Sequence, residues 1–270
     1  MLGWRRTVKK SELYGSIWAA CDHLRGGMDA SHYKDYVLVL LFVKYVSDRY
    51  AGTLGGDILV PPGGSYADLL ALRGTKEIGD GFNKVIGKLA AANGLQGVLD
   101  EADFASAERL GSGKELVDRL SGLVSVFDRP ELNYKTNAAE GDDLLGDAYE
   151  YLLRHFATQS GKSKGQFYTP AEVSRVMAKV IGLGTTTDAR QTIYDPTCGS
   201  GSLLLKAHAE ALALTGFDLA VCGQEKDNST HGLARMNTIL HQCGDHVAGS
   251  SSAKSCTGTC RARTAGPGCG

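Results

Sequence analysis

Asp195-Pro196-Thr197-Cys198-Gly199-Ser200-Gly201-Ser202 is the stretch on which the reading of this chain turns. Ahead of it, Gln191 to Tyr194 predicts a short strand, and behind it Leu203 to Ala213 predicts a helix. A strand that feeds a glycine turn opening a helix brings bare backbone up to a nucleotide-like ligand in α/β proteins. Gly199 and Gly201 lack a Cβ, so they can take positive φ and leave room beside the main chain. Asp195 then falls at the carboxyl end of the strand, where open α/β sheets place their sites. Downstream, Asp218 to Glu225 predicts the next strand, which ends in an acid 24 positions after Gly201. A carboxylate at that tip can accept hydrogen bonds from both ribose hydroxyls.

The turn lacks the third glycine of the G-x-G-x-x-G pattern that cradles a pyrophosphate, which speaks against a nicotinamide-dependent oxidoreductase. S-adenosylmethionine carries no phosphate and suits such a turn better. Upstream, Gly165-Gln166-Phe167-Tyr168-Thr169-Pro170-Ala171-Glu172 predicts a helix start. Thr169 serves as N-cap, Pro170 takes the first helical position and Glu172 closes a capping box. Val173, Val176, Met177, Val180 and Ile181 follow at helical spacing and form one apolar face. A helix start of this kind, with free amides and a partial positive charge, can hold the carboxylate at the methionyl end of that cofactor.

Taken together, the Gln166–Pro170 segment, the Asp195–Ser202 turn, Gly223-Gln224-Glu225, and Met236, Asn237, Leu240 and His241 resemble the methylation subunit of type I restriction-modification systems. That family comprises adenine-N6 DNA methyltransferases. The resemblance implies S-adenosylmethionine as cofactor and a pocket lined by Gln166, Phe167, Tyr168, Thr169, Pro170, Ala171, Asp195, Ser200, Gly201 and Ser202, with Glu225 on the ribose. It further implies double-stranded DNA, a DNA-specificity subunit and a restriction subunit as partners. It runs from the N-terminus to about His241 and gives Asn237 and His241 no chemistry.

Composition sets the bounds. Of the 270 residues 43% are hydrophobic, enough for a buried core, and the net charge of −1 is neutral on nucleic-acid binding. The longest apolar run, Tyr36 to Val43, is far short of a membrane span. Seven cysteines without a framework point to a reducing compartment, so we expect a cytoplasmic protein. Cys256, Cys260 and Cys269 lack paired ligand spacing, and no metal site is expected.

Helices are expected over Ser11–Arg25, Ala67–Leu72, Gly81–Ala92 and Gly113–Val126. The length and flanks of Tyr36 to Val43 favour a buried helix, although its β-branched content alone could pass for a core strand; the family's helical N-terminal domain tips the reading to helix. His23 and His32 are expected to pack or face solvent. Asp142 to Ala157 predicts a helix leading to Lys162 and Lys164, which either meet phosphate or stand in a solvated loop. A last helix starts at Asp227 or Asn228 and turns Leu233, Met236, Ile239 and Leu240 inward.

The expected architecture is therefore a helical N-terminal domain (1–133) followed by an incomplete α/β Rossmann-like S-adenosylmethionine-dependent methyltransferase domain (134–243). Residues 244–270 hold six glycines and a single large apolar side chain, Val247, so a disordered tail is expected, either translated out of frame or marking a premature end. The family grips its target base with Asn-Pro-Pro-aromatic. The only adjacent prolines here are Pro61-Pro62, preceded by Val60 and far upstream, so no catalytic residue is assigned. The expectation is a methyltransferase subunit that, as this chain stands, transfers no methyl group and binds cofactor weakly at best, with low solubility or dependence on a partner, an unpaired edge on the first strand and exposed apolar helix faces. A non-catalytic assembly fragment is the alternative.

Overall fold

A computed structural model describes residues 14–15, 17–18, 24, 30–53, 58–133, 151–152, 154–156, 169, 171–241, 243 and 247–249. The chain divides into two compact units, 1–164 and 165–270.

The first unit is built on α1 (Ala30–Tyr50). Every residue from Tyr36 to Ser47 is buried. A helix covered on all sides has no polar stripe, which is why its sequence shows no helical period and can pass for a strand. Even Lys44 is inside, with its ammonium 2.8 Å from Asp48 and 5.3 Å from the centre of the Tyr66 ring. Around α1 stand α2 (Tyr66–Ala71), α3 (Ile78–Asn93), α4 (Ala107–Leu110) and α5 (Lys114–Phe127). Ser65 and Asp68 form a capping box at the start of α2. Phe82, Ile86 and Leu89 of α3 face the core, as do Leu120, Leu123 and Phe127 of α5. Each such side chain stabilises the fold by about 1.5–3 kcal/mol relative to exposure. Phe104, from the loop before α4, meets Tyr36 edge-on at 5.1 Å.

The expected helix over 142–157 was grouped with the second domain. Its described residues belong to the first unit: Tyr151 stacks on Tyr14 at 4.4 Å, and Phe156 meets the Tyr33 ring edge-on at 5.5 Å.

The second unit carries α6 (Ala171–Val180), β1 (Thr192–Asp195), α7 (Ser202–Thr215), β2 (Ala220–Glu225), α8 (Asn228–Leu240) and β3 (Val247–Gly249). The three strands are parallel in the order β1-β2-β3, with Thr192 opposite Ala220 and Gly223 opposite Val247. A turn closed by Arg190 on Asp188 leads into β1, and that guanidinium holds the Asp188 carboxyl down at about 2. Ile193, Leu204, Leu205, Ala211, Leu219 and Val221 make the core between sheet and helices.

One expectation changes here: β3 lies inside the segment expected to be disordered. A parallel strand needs only backbone partners, which the edge of β2 supplies, so a poor side-chain composition does not prevent it. The rest of 250–270 lies outside the described residues. An exposed apolar helix face, as expected, is found at α6: Val173, Val176, Met177, Val180 and Ile181 are 44–79% exposed. The helix packs on α7 through its small residues, with Ser174 and Ala178 fully buried. A helix period shows that a face is apolar but not what covers it. Among the described residues β1 pairs with β2 alone, and Tyr194 on it is 52% exposed.

Candidate functional site

The turn after β1 is folded by its own polar atoms. Asp195 Oδ1 accepts from Thr197 N at 2.8 Å, turning the chain as it leaves the strand. Cys198 N donates to Gln224 O at 2.9 Å, which ties the turn across the end of β2. Gly201 N donates to Cys198 O at 2.8 Å and closes a tight turn. Gly199 (φ +56°) and Gly201 (φ +80°) lie in the left-handed region that favours glycine. Gly201 is also the N-cap of α7, where no side chain caps the helix. The first-turn amides of α7 therefore remain available to a ligand.

These residues form one wall of a cleft of about 430 Å³. Asp195, Thr197, Gly199, Ser200 and Ser202 supply its polar side, while Met177, Ile181 and Ile193 supply an apolar side. Thr169 reaches it from the chain ahead of α6. Ser200 and Ser202 are buried with hydroxyls 3.0 Å apart.

Glu225 ends β2 beside the turn. Its Oε2 accepts from Gly199 N at 3.1 Å and its Oε1 from Asp227 N at 2.9 Å. The carboxylate thus fastens the turn to the start of α8, and each oxygen keeps a further lone pair for a ligand. Under the turn sits Cys198, 6% exposed. Burial, helped by the Asp195 and Glu225 carboxylates, pushes its thiol up to about 12. It stays protonated in the neutral range and is not a nucleophile. Room for its sulfur comes from Gly223, where a Cβ would stand 2.7 Å from Cys198 Sγ.

Of the residues expected at the site, Thr169, Asp195, Ser200 and Ser202 line the cleft. Gly201 supplies the helix cap, and Glu225 holds the turn from behind. Ala171 is the first residue of α6. Gln166, Phe167, Tyr168 and Pro170 lie outside the described residues, as do Lys162 and Lys164. Sequence reading missed Gly223, although a glycine inside a strand marks a close approach. It also missed Met177 and Ile181 as cleft residues. Among the described residues, no group of three His, Cys, Asp or Glu is placed to hold a metal, and no helix is long and apolar enough to cross a membrane.

Residues 140–258 match the N-6 DNA Methylase family, and residues 13–127 match the HsdM N-terminal domain family. Each match spans less than half of the chain; together they support a methylation subunit of a type I restriction-modification system. It is 29% identical to the type I restriction enzyme MpnII methylase subunit of Mycoplasma pneumoniae, over 88% of this chain and 51% of the relative. It is also 29% identical to the MjaVIII methylase subunit of Methanocaldococcus jannaschii, over 87% of this chain and 41% of the relative. The chain thus spans about half the length of the curated relatives it matches. The solved type I methyltransferase subunit of Streptococcus thermophilus superposes with a TM-score of 0.69 at 25% identity, over 94% of this chain and 61% of that one. The methylase match continues past His241, where the resemblance was expected to stop, and takes in β3.

Proposed function

We propose that the second unit is the S-adenosylmethionine-binding part of a Rossmann-like methyltransferase domain. The protein then acts in the cytoplasm as an adenine-N6 DNA methyltransferase subunit with a DNA-specificity subunit and a restriction subunit. One observation carries the cofactor reading: an uncapped helix N-terminus and two left-handed glycines open onto a cleft that has one polar and one apolar wall. That division suits a molecule with a charged amino-acid end and a flat base. When bound, the cofactor supplies an electrophilic methyl group on a sulfonium.

The chain's own residues would orient it. The first-turn amides of α7 are free to meet its carboxylate, and Met177, Ile181 and Ile193 offer apolar surface to its base. Glu225 keeps lone pairs for the ribose hydroxyls. The two family matches support DNA as the substrate and the two other subunits as partners.

Calorimetric titration of the full chain with S-adenosylmethionine, and separately with NAD, tests the first step. Heat with the former alone is expected; heat with NAD alone would overturn it. A methylation assay with labelled cofactor on mixed-sequence DNA, with and without a specificity subunit, tests the second. No incorporation by this chain is expected in either arm, because Asn-Pro-Pro-aromatic is absent from it; incorporation would overturn that expectation.

A further inference from the structure

Asn237 belongs to the family-like segment and is not used by the site described so far, and it is held at a costly place. It lies on α8 and is 1% exposed, next to the buried Leu233, Met236 and Leu240. An aliphatic side chain would satisfy such a position without leaving a polar atom to account for. The amide Nδ2 instead donates to Ser200 O at 3.0 Å, across 37 residues of sequence. A carbonyl can only accept, so the amide must turn its nitrogen toward the turn. Its Oδ1 is then buried without a partner among the described residues. A core amide satisfied on one side only contributes little as packing; what it offers is a donor aimed at the glycine turn.

Glu225 acts on the neighbouring residue from the other end of the same segment. Its Oε2 holds the Gly199 N–H while its Oε1 holds the N–H of Asp227, the residue that caps α8. The two peptides that flank the Gly199–Ser200 link are therefore both held by the β2–α8 segment, Cys198–Gly199 through its N–H and Ser200–Gly201 through its C=O. We propose that Asn237 is a positioning residue that, with Glu225, clamps the glycine turn so that the first-turn amides of α7 are set toward the cleft before ligand arrives. This rests on the cofactor reading above for its consequence, though not for the clamp itself. Without the clamp the turn must be ordered at the moment of binding, and affinity falls by that amount.

The test uses the full chain with Asn237→Leu, which keeps volume and removes the donor, and Asn237→Asp, which replaces the donor with an acceptor. Amide hydrogen exchange without ligand is followed at Gly201 and Leu205, which are bonded to Cys198 O and Gly201 O. Exchange at both sites should rise about tenfold in either variant, with no change at the amides of α1, and S-adenosylmethionine should bind about tenfold more weakly. A packing role alone would leave Asn237→Leu like the wild type in both measurements, and that result would overturn the proposal. If the variants do not fold, the wild-type side-chain amide of Asn237 gives the answer by NMR. Slow exchange of its protons supports the clamp, and exchange at the rate of a solvent-exposed amide overturns it. Absence of S-adenosylmethionine binding by the wild type would remove the cofactor reading while leaving the exchange result to decide the clamp.

Discussion

Cys198 and Gly223 share one small space, and each can be probed alone. The folded thiol keeps its proton up to about 12, whereas an unfolded cysteine releases it near pH 8.5. As pH rises between those values the unfolded chain binds fewer protons than the folded one. Stability is therefore at its full value below that window and declines across it. Urea midpoints measured from pH 8 to pH 11 should fall more steeply in the wild type than in Cys198→Ala; parallel slopes would show that the thiol is not sequestered. Gly223→Ala places a methyl 2.7 Å from Cys198 Sγ and 3.0 Å from Leu204 Cδ1. We expect it to destabilise the second unit by about 1–3 kcal/mol. Combining it with Cys198→Ala should recover part of that loss, which a denaturation series on the double variant would measure.

Among the elements, α6 and α7 form the informative pair. The face of α6 that its sequence marks as apolar is exposed, and the face that packs is made of Ser174 and Ala178. Val176→Lys and Val180→Glu should therefore change stability by less than about 0.5 kcal/mol, while Ala178→Leu should cost about 1–3 kcal/mol through overpacking. Thermal melts of the three variants would decide; a large loss for Val180→Glu would mean that the row is covered in solution. The same helix shows where sequence is and is not informative. Periodicity places apolar side chains on one face but carries no information about a partner surface. Around α1 the reverse applies, since burial on every side erases the period, and length, flanks and family resemblance had to separate helix from strand. The strand–turn–helix of the site was legible because its glycines and acid are chemically unusual. The bonds from Asn237 and Glu225 were not, because they join residues 26 and 37 positions apart and depend on how β2 and α8 lie against the turn. β3 was illegible for a third reason: it is held by main-chain pairing, to which side-chain composition is nearly blind.

For the whole molecule, two compact units imply two reporters of stability. The proposed ligand should act on only one of them. S-adenosylmethionine at a hundred times its dissociation constant should raise the stability of the second unit by about 2.7 kcal/mol. Exchange protection should then increase across β1, β2 and α7 and stay constant in α1 and α3; a uniform increase would argue against a ligand confined to the cleft. The first unit has a further consequence during synthesis. Its central helix closes at Tyr50, but the helix that helps to wrap it ends at Phe127. At a translation rate of about 5–20 residues per second, the ribosome needs roughly 4–15 s to make the intervening chain. For that interval Tyr36 to Val46 is an oily segment with no shelter of its own, so the nascent polypeptide should be a chaperone client until residue 127 has emerged.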